Sequence, residues 1–383
     1  MADQCMLVGE KEGMKAATNE SNFIYSPMSI RAALSLAALG AKRETLNQML
    51  SFLGYDTIAN LKAASARLVH VIKTSDSDHD SGPELSFVNG IWFDQSKFLM
   101  PEFLQVAASV YKAFTECVDF NQPNKVTKEV NDWVEKETNG KIKDLIPINS
   151  MSPLDQVILC NALHFKGAWQ HKFNKSQTRD KTFHLLNGNT IQTPFMTSKQ
   201  DQFITSFSGF SVLRLPFRQT RDFSRSFSMN IILPNDTTGF IPLMQRISNE
   251  PNFINQHTPK MQMSVGMFMV PKFKVSFGFE VSQVLKDLGM ELPFNGDADF
   301  TGMALGLNGR CDLSLNRMHH KASIEVDEDG AEADAATAVV FQMQQCSIRP
   351  VNFVADHPFM FAVVEDLSGA VLFLGHVVNP LNA

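Results

Sequence analysis

The 383-residue sequence predicts an α+β fold built as one domain, 1–383, around a large β-sheet. Three observations carry that prediction. Segments with helical spacing gather early in the chain, and runs with strand character dominate later. No internal repeat and no long low-complexity linker divides the sequence, so a length compatible with two domains is read as one. Apolar residues make up 44% of the chain, ample for one large core.

The elements follow in chain order. The first twenty residues make a weak, short helix, because Gly9 and Gly13 disfavour one there. Ser26-Pro27 reads as an N-cap followed by proline at the first helical position, where a missing N–H costs nothing. Ile30, Ala33, Leu34 and Ala37 then recur at helical spacing, and Gly40 fits a stop. Leu46, Met49, Leu50 and Leu53 repeat the pattern up to Gly54. Residues 126–137 form a further helix with Val130, Trp133 and Val134 on one face. Residues 157–165 (VILCNALHF) are a near-continuous apolar run, as in a strand covered on both faces. The runs 227–233, 265–279 and 371–378 also have strand character. Loops are expected at 74–82, at 218–225 and at Leu307-Asn308-Gly309, where Asn-Gly favours positive φ.

Composition excludes several function classes. A net charge of −6 and a pI of about 5.9, with scattered Lys and Arg, leave no basic face for nucleic acid. No apolar stretch is long enough to span a membrane. Asp3, Glu10, Lys11 and Glu12 interrupt any secretory leader. The five cysteines stand far apart, are odd in number and form no Cys-x-x-Cys pair, so they are read as free thiols. A cytoplasmic monomer is expected, with non-classical export as the alternative. No Gly-x-Ser-x-Gly elbow, Walker loop, dinucleotide fingerprint or His-Glu-x-x-His helix is present, so no cofactor, no metal and no catalytic residues are expected. Asp76, Asp78, His79 and Asp80 lack EF-hand spacing and read as a solvated loop. His319 and His320 are adjacent on a strand and face opposite ways, one into the core and one to the surface.

The most informative segment is 320–345. Ala322, Ile324 and Val326 alternate with Ser323, Glu325 and Asp327 at the period of a strand. Asp329-Gly330 is a turn signal. Beyond it Ala331, Ala333, Ala335, Thr337, Val339 and Phe341 form one uncharged face that begins small. Glu332 and Asp334 lie on the other, where they are expected to stay in water. The second arm is Ala-rich and a poor strand former, so it suits life outside a sheet as well as inside one. By period alone the plainer reading is an acidic loop followed by an edge strand.

Matches elsewhere decide between these readings. Asn22-Phe-Ile-Tyr-Ser-Pro-Met-Ser-Ile30, Asn131-Asp-Trp-Val134 with Thr138-Asn-Gly-Lys-Ile142, Asn161-Ala-Leu-His-Phe-Lys-Gly-Ala-Trp169, Phe353-Val-Ala-Asp-His-Pro-Phe359 and Gly375-His-Val-Val-Asn-Pro380 occur in the order found in serpins. The chain resembles that family, and plant serpins most. The resemblance implies about nine helices around three β-sheets and an exposed reactive-centre loop at about 328–350. It also implies an irreversible suicide inhibitor of proteases rather than an enzyme. A target protease, a serine or papain-like cysteine endopeptidase, cuts the loop and is trapped as a covalent complex while the loop enters the main sheet. The implied hinge comprises Glu328, Gly330, Ala331, Ala333, Ala335 and Thr337. A shutter is formed by Ser26, Ser29, Asn161 and His320, and Trp169 plugs the breach at the top of the sheet. Ala331 replaces the usual Thr or Ser, and Asp334 the usual Ala. By the family's nearly fixed spacing from the hinge Glu, the resemblance implies a scissile bond at Gln344–Gln345, with Met343–Gln344 and Gln345–Cys346 as alternatives and Phe341 and Met343 as the apolar subsite residues. The alternative is a non-inhibitory serpin with a carrier, chaperone or storage role, which bulky or charged residues on the hinge's inward face would favour.

Overall fold

In the computed structural model the described residues are 4–72, 83–219, 225–306, 313–328 and 350–382. The loops expected at 74–82 and at Leu307-Asn308-Gly309, and residues 220–224 of the third, lie outside them. So does everything from 329 to 349: Gly330, Ala331, Ala333, Ala335, Thr337, Phe341, Met343, Gln344 and Gln345.

Among the described residues the helices are α1 (Gln4–Thr18), α2 (Pro27–Gly40), α3 (Arg43–Leu53), α4 (Ile58–Ile72), α5 (Pro101–Ser109), α6 (Pro123–Glu137), α7 (Phe240–Asn249), α8 (Phe253–His257) and α9 (Ser282–Asp287). Local signals set α1, α2, α3 and α6 close to where the sequence put them, while α4, α5 and α7 to α9 were not foreseen. Ser26 caps α2, its Oγ accepting from the Ser29 amide at 3.1 Å, and Gly54 ends α3 at φ 75° in the left-handed region. The glycines expected to weaken α1 instead let it dock. A Cβ on Gly9 would stand 1.9 Å from the Tyr25 ring, and one on Gly13 would stand 3.1 Å from Phe23. Packing against these two aromatics outweighs the low helix propensity of glycine.

Among the described residues the strands form three large sheets and one two-stranded ribbon. The main sheet holds β2 (Glu84–Asp94), β4 (Phe114–Val118), β5 (Val157–Lys166), β13 (Phe273–Glu280) and β15 (Arg317–Val326), in the order β13-β15-β5-β2-β4. A seven-stranded sheet holds β1 (Phe23–Tyr25), β8 (Gln202–Phe207), β9 (Phe210–Pro216), β10 (Phe227–Pro234), β11 (Gln262–Met263), β17 (Phe359–Glu365) and β18 (Ala370–Val377). A four-stranded sheet holds β6 (Arg179–His184), β7 (Thr190–Met196), β12 (Val265–Pro271) and β16 (Val351–Val354), and β3 (Phe98–Leu99) pairs with β14 (Ala304–Leu305). The run 265–279, continuous in the sequence pattern, is thus two strands in two sheets with Lys272 at the break.

Both faces of the main sheet are covered, which is why β5 is apolar at every position but its polar rungs. On the front, Val126, Val130 and Val134 of α6 and Ile142, Leu145 and Ile146 of the segment after it pack on Ile158, Cys160 and Ala162. On the rear, Val157, Leu159 and Met318 join one cluster that includes α2. Leu163, Phe165, Ala322 and Ile324 join another, shared with the seven-stranded sheet. This double cover corrects one expectation: His319 is not a surface residue. It faces the front, opposite to His320, and both are buried.

Candidate functional site

β15 and β5 are parallel neighbours, paired directly from Arg317–Ile158 through to Glu325–Lys166. The strands flanking this seam on either side, β13 and β2, run antiparallel to it. A parallel pair with no strand between is the weaker kind of ladder. Here it lies in the middle of the sheet, where three polar rungs cross it.

The first rung is on the rear face and is made by Ser26, Ser29 and Asn161 with β15's His320. The Ser26 amide donates to His320 Nε2 at 3.0 Å, so that nitrogen carries no proton. His320 Nδ1 therefore holds the hydrogen and donates to Asn161 Oδ1 at 2.9 Å. The Ser29 hydroxyl donates to the same Asn161 oxygen. All four side chains are buried, and burial pushes the His320 pKa down from 6.5 to about 3, which keeps the ring neutral. The structure brings Ser26, Ser29, Asn161 and His320 into one hydrogen-bonded row. Asn89, missed in the sequence, completes the row. It pairs with Asn161 across β2 and β5, is buried, and neither polar atom of its side chain has a partner. An amide inside the apolar run FVNGIWF was the available signal. This rung divides the two rear apolar clusters.

The other two rungs lie on the front face. His164 Nδ1 and Ser323 Oγ are 2.7 Å apart, each residue only 2% exposed. One turn of the pleat higher, Lys166 pairs with Glu325 at 2.9 Å and with Asp327 at 3.3 Å. The front face of the seam is therefore open to water near Lys166 and closed at His164.

The upper end of the seam is fastened separately. The Trp169 indole N–H donates to the Asp327 carbonyl at 2.7 Å, and its ring stacks on Phe217 at 4.6 Å. Glu328, the last described residue before position 350, is 4% exposed. Its carboxylate accepts from Lys272 Nζ at 2.7 Å and from the Thr178 hydroxyl at 2.7 Å, and its carbonyl accepts from the Phe173 amide at 3.1 Å. Burial alone would raise the Glu328 pKa; Lys272 and Thr178 outweigh it and hold it below the usual range. Lys272 and Thr178 were not foreseen. The lysine's position between two apolar runs was the one hint.

Among the described residues no three His, Cys, Asp or Glu side chains gather as metal ligands, and no helix is long and apolar enough to cross a membrane. The described thiols Cys117 and Cys160 are free.

Comparison with known proteins agrees with this architecture. The family model for Serpin (serine protease inhibitor) matches residues 12–380. Serpin-ZXA of Oryza sativa subsp. japonica is 44% identical over 364 residues, covering 94% of this chain and 91% of that protein. Serpin-ZX of Arabidopsis thaliana is 41% identical over 375 residues, covering 97% and 95%. Among solved structures, Arabidopsis AtSerpin1 in its native stressed conformation superposes with a TM-score of 0.91 at 40% identity, covering 99% of this chain and 97% of that one. Uncleaved ovalbumin, at 22% identity and a TM-score of 0.81, shares the fold.

Proposed function

The chain belongs to the serpin family, and from that premise we propose that it inhibits proteases by inserting a cut reactive loop, about 328–350, into the seam between β5 and β15. It is a protease inhibitor, and in this reading it performs no catalysis of its own. The observation that carries the proposal is the seam: two parallel strands in direct contact, one of which leads at Glu328 straight into the loop.

A protease nucleophile attacks the carbonyl of Gln344, the amine of Gln345 leaves with a proton, and residue 344 stays bound to the protease as an ester or thioester. The freed arm then folds back along β15. A strand returning from the end of β15 runs antiparallel to β15, and so also to β5, and one parallel ladder is exchanged for two antiparallel ones. As a strand, residues 331–342 span roughly 40 Å at about 3.3 Å each, so the bound protease is carried the length of the sheet before it can deacylate.

Polarity selects the register. If the arm turns at Glu328 and Asp329, Thr337 comes opposite His320, and its hydroxyl reaches the row that includes the unpartnered Asn89. Ala331, Ala333 and Ala335 then meet Val326, Ile324 and Ala322 on the rear face. Turning instead at Asp329 and Gly330 would lay Val339 on His320 and leave the buried row without a new partner. Met343 and Phe341 suit a papain-like cysteine protease or a broad chymotrypsin-like serine protease.

The test is incubation with a panel of both protease classes. A complex that survives denaturation is expected. Turnover of the loop by every protease with no such complex would refute inhibition and favour a carrier or storage role.

A further inference from the structure

We propose that the front face of the seam is built for an exchange of partners. As β5 and β15 part, His164 and Lys166 pass to Ser86 and Glu84 on β2, while Ser323 and Glu325 pass to Ser276 and Lys274 on β13. The inference rests on the insertion reading above for its use, and adds to it how the closed seam comes apart.

Register lays two polar rows across β13, β15, β5 and β2 in turn. One reads Ser276–Ser323–His164–Ser86, and the next Lys274–Glu325–Lys166–Glu84. Residues directly opposite on neighbouring antiparallel strands share a face, with Cβ atoms about 5 Å apart. In the closed sheet the bonds span the middle of both rows. His164 Nδ1 lies 2.7 Å from Ser323 Oγ, and Lys166 pairs with Glu325 at 2.9 Å and with Asp327 at 3.3 Å. The outer members stand in reserve. Ser86 and Ser276 are half-buried, and no described residue bonds their hydroxyls. Glu84 meets Lys141 at 3.7 Å, and Lys274 is exposed. When the seam opens, each half of the sheet therefore keeps a partner for every group that loses one.

The His164 row decides the cost. The charged row is open to water, where ion pairs are worth little and exchange freely. His164 and Ser323 are each only 2% exposed. Parting without new partners would leave both groups buried and unbonded, which is the expensive outcome for a polar group. A turn of the His164 ring about its Cβ–Cγ bond presents a nitrogen to Ser86, and rotation of the Ser323 hydroxyl turns it to Ser276. Nε2 of His164 has no partner in the closed sheet, so the ring gives up one bond and not two. Burial pushes the His164 pKa from 6.5 down to about 4, so the ring exchanges as a neutral group.

The experiment uses the uncut full chain. It follows amide hydrogen exchange over 158–166 and 317–325 by mass spectrometry, alongside the partition between inhibition and turnover with a protease. Ser86→Ala and Ser276→Ala remove reserve partners only. The unfolding midpoint should stay where it is, while exchange at the seam slows roughly tenfold and turnover gains on inhibition. Ser86→Thr, which keeps the hydroxyl, should restore both readouts. Ser323→Ala should act with the opposite sign and speed exchange, because it breaks the closed bond and leaves Ser86 to receive His164. The same sign at Ser86 and Ser323, or wild-type exchange in both Ser86→Ala and Ser276→Ala, would overturn the inference. The two readouts separate it from the reading it rests on. Opposite signs in hydrogen exchange with no denaturation-resistant complex in any variant would sink insertion and keep the partner exchange. A normal complex with exchange unmoved would sink the partner exchange alone.

Discussion

Cutting the loop within residues 342–346 should make the protein more stable, against the usual effect of nicking a chain. The size follows from the seam. β5 and β15 share nine register pairs, from Arg317–Ile158 to Glu325–Lys166. Replacing one ladder of that length by two adds roughly nine backbone hydrogen bonds, each worth about 1 kcal/mol net, or roughly 10 kcal/mol. With an unfolding entropy of about 2 cal/mol/K per residue, a chain of 383 residues has an entropy of roughly 0.8 kcal/mol/K. The midpoint should then rise on the order of 10 °C, before side-chain burial by the arm is included. The assay is limited proteolysis at the loop, purification with both fragments retained, and thermal unfolding followed by circular dichroism. An unchanged or lower midpoint after clean cleavage would refute the insertion argument, because the uncut fold could not then be the less stable one held behind a barrier.

Three further outcomes are expected. Ala333→Arg should turn the inhibitor into a substrate, since its side chain would enter the rear cluster beside Ile324 and Phe165 at a cost of several kcal/mol, while Glu332→Arg should do much less; equal effects would show the face assignment to be wrong. Mass spectrometry of the released C-terminal peptide should find Gln345 at its start, and a start at Pro350 or beyond would make the arm too long for the sheet. His320, neutral and buried with a pKa near 3 against an ordinary 6.5, contributes stability that is complete above about pH 6.5 and lost as pH falls toward 3. At pH 5 that loss is about 2 kcal/mol, so His320→Gln should flatten the acid limb of a denaturant titration by that amount.

The helices and strands were legible where local chemistry sets them: Ser26-Pro27 opens α2, Gly54 closes α3, and the apolar run of β5 announces a strand covered twice. Period could not reveal partners. The break at Lys272 looked like the middle of one long strand, because only the departure of β12 and β13 into different sheets separates them. Ser26, Ser29, Asn161 and His320 were singled out through motif resemblance, but Asn89 was not, because one amide in an apolar run gains meaning only when register sets it beside Asn161. The face of His319 was misjudged for a related reason. Alternation tells which residues share a side, and the cover that α6 and its following segment lay over that side is tertiary.

The three tryptophans turn the seam into something that can be watched with light. Trp92 on β2 and Trp133 on α6 meet edge to face at 5.2 Å, so their joint emission would report any displacement of the helix from the sheet. Trp169 stands apart at the upper end, its indole N–H on the Asp327 carbonyl and its ring on Phe217, and its emission follows the first few ångströms of parting. Trp169→Phe and Trp133→Phe separate the two signals. Stopped-flow fluorescence on the pair of variants, mixed with a protease, would time the parting of the upper end against the movement of α6 without an attached dye.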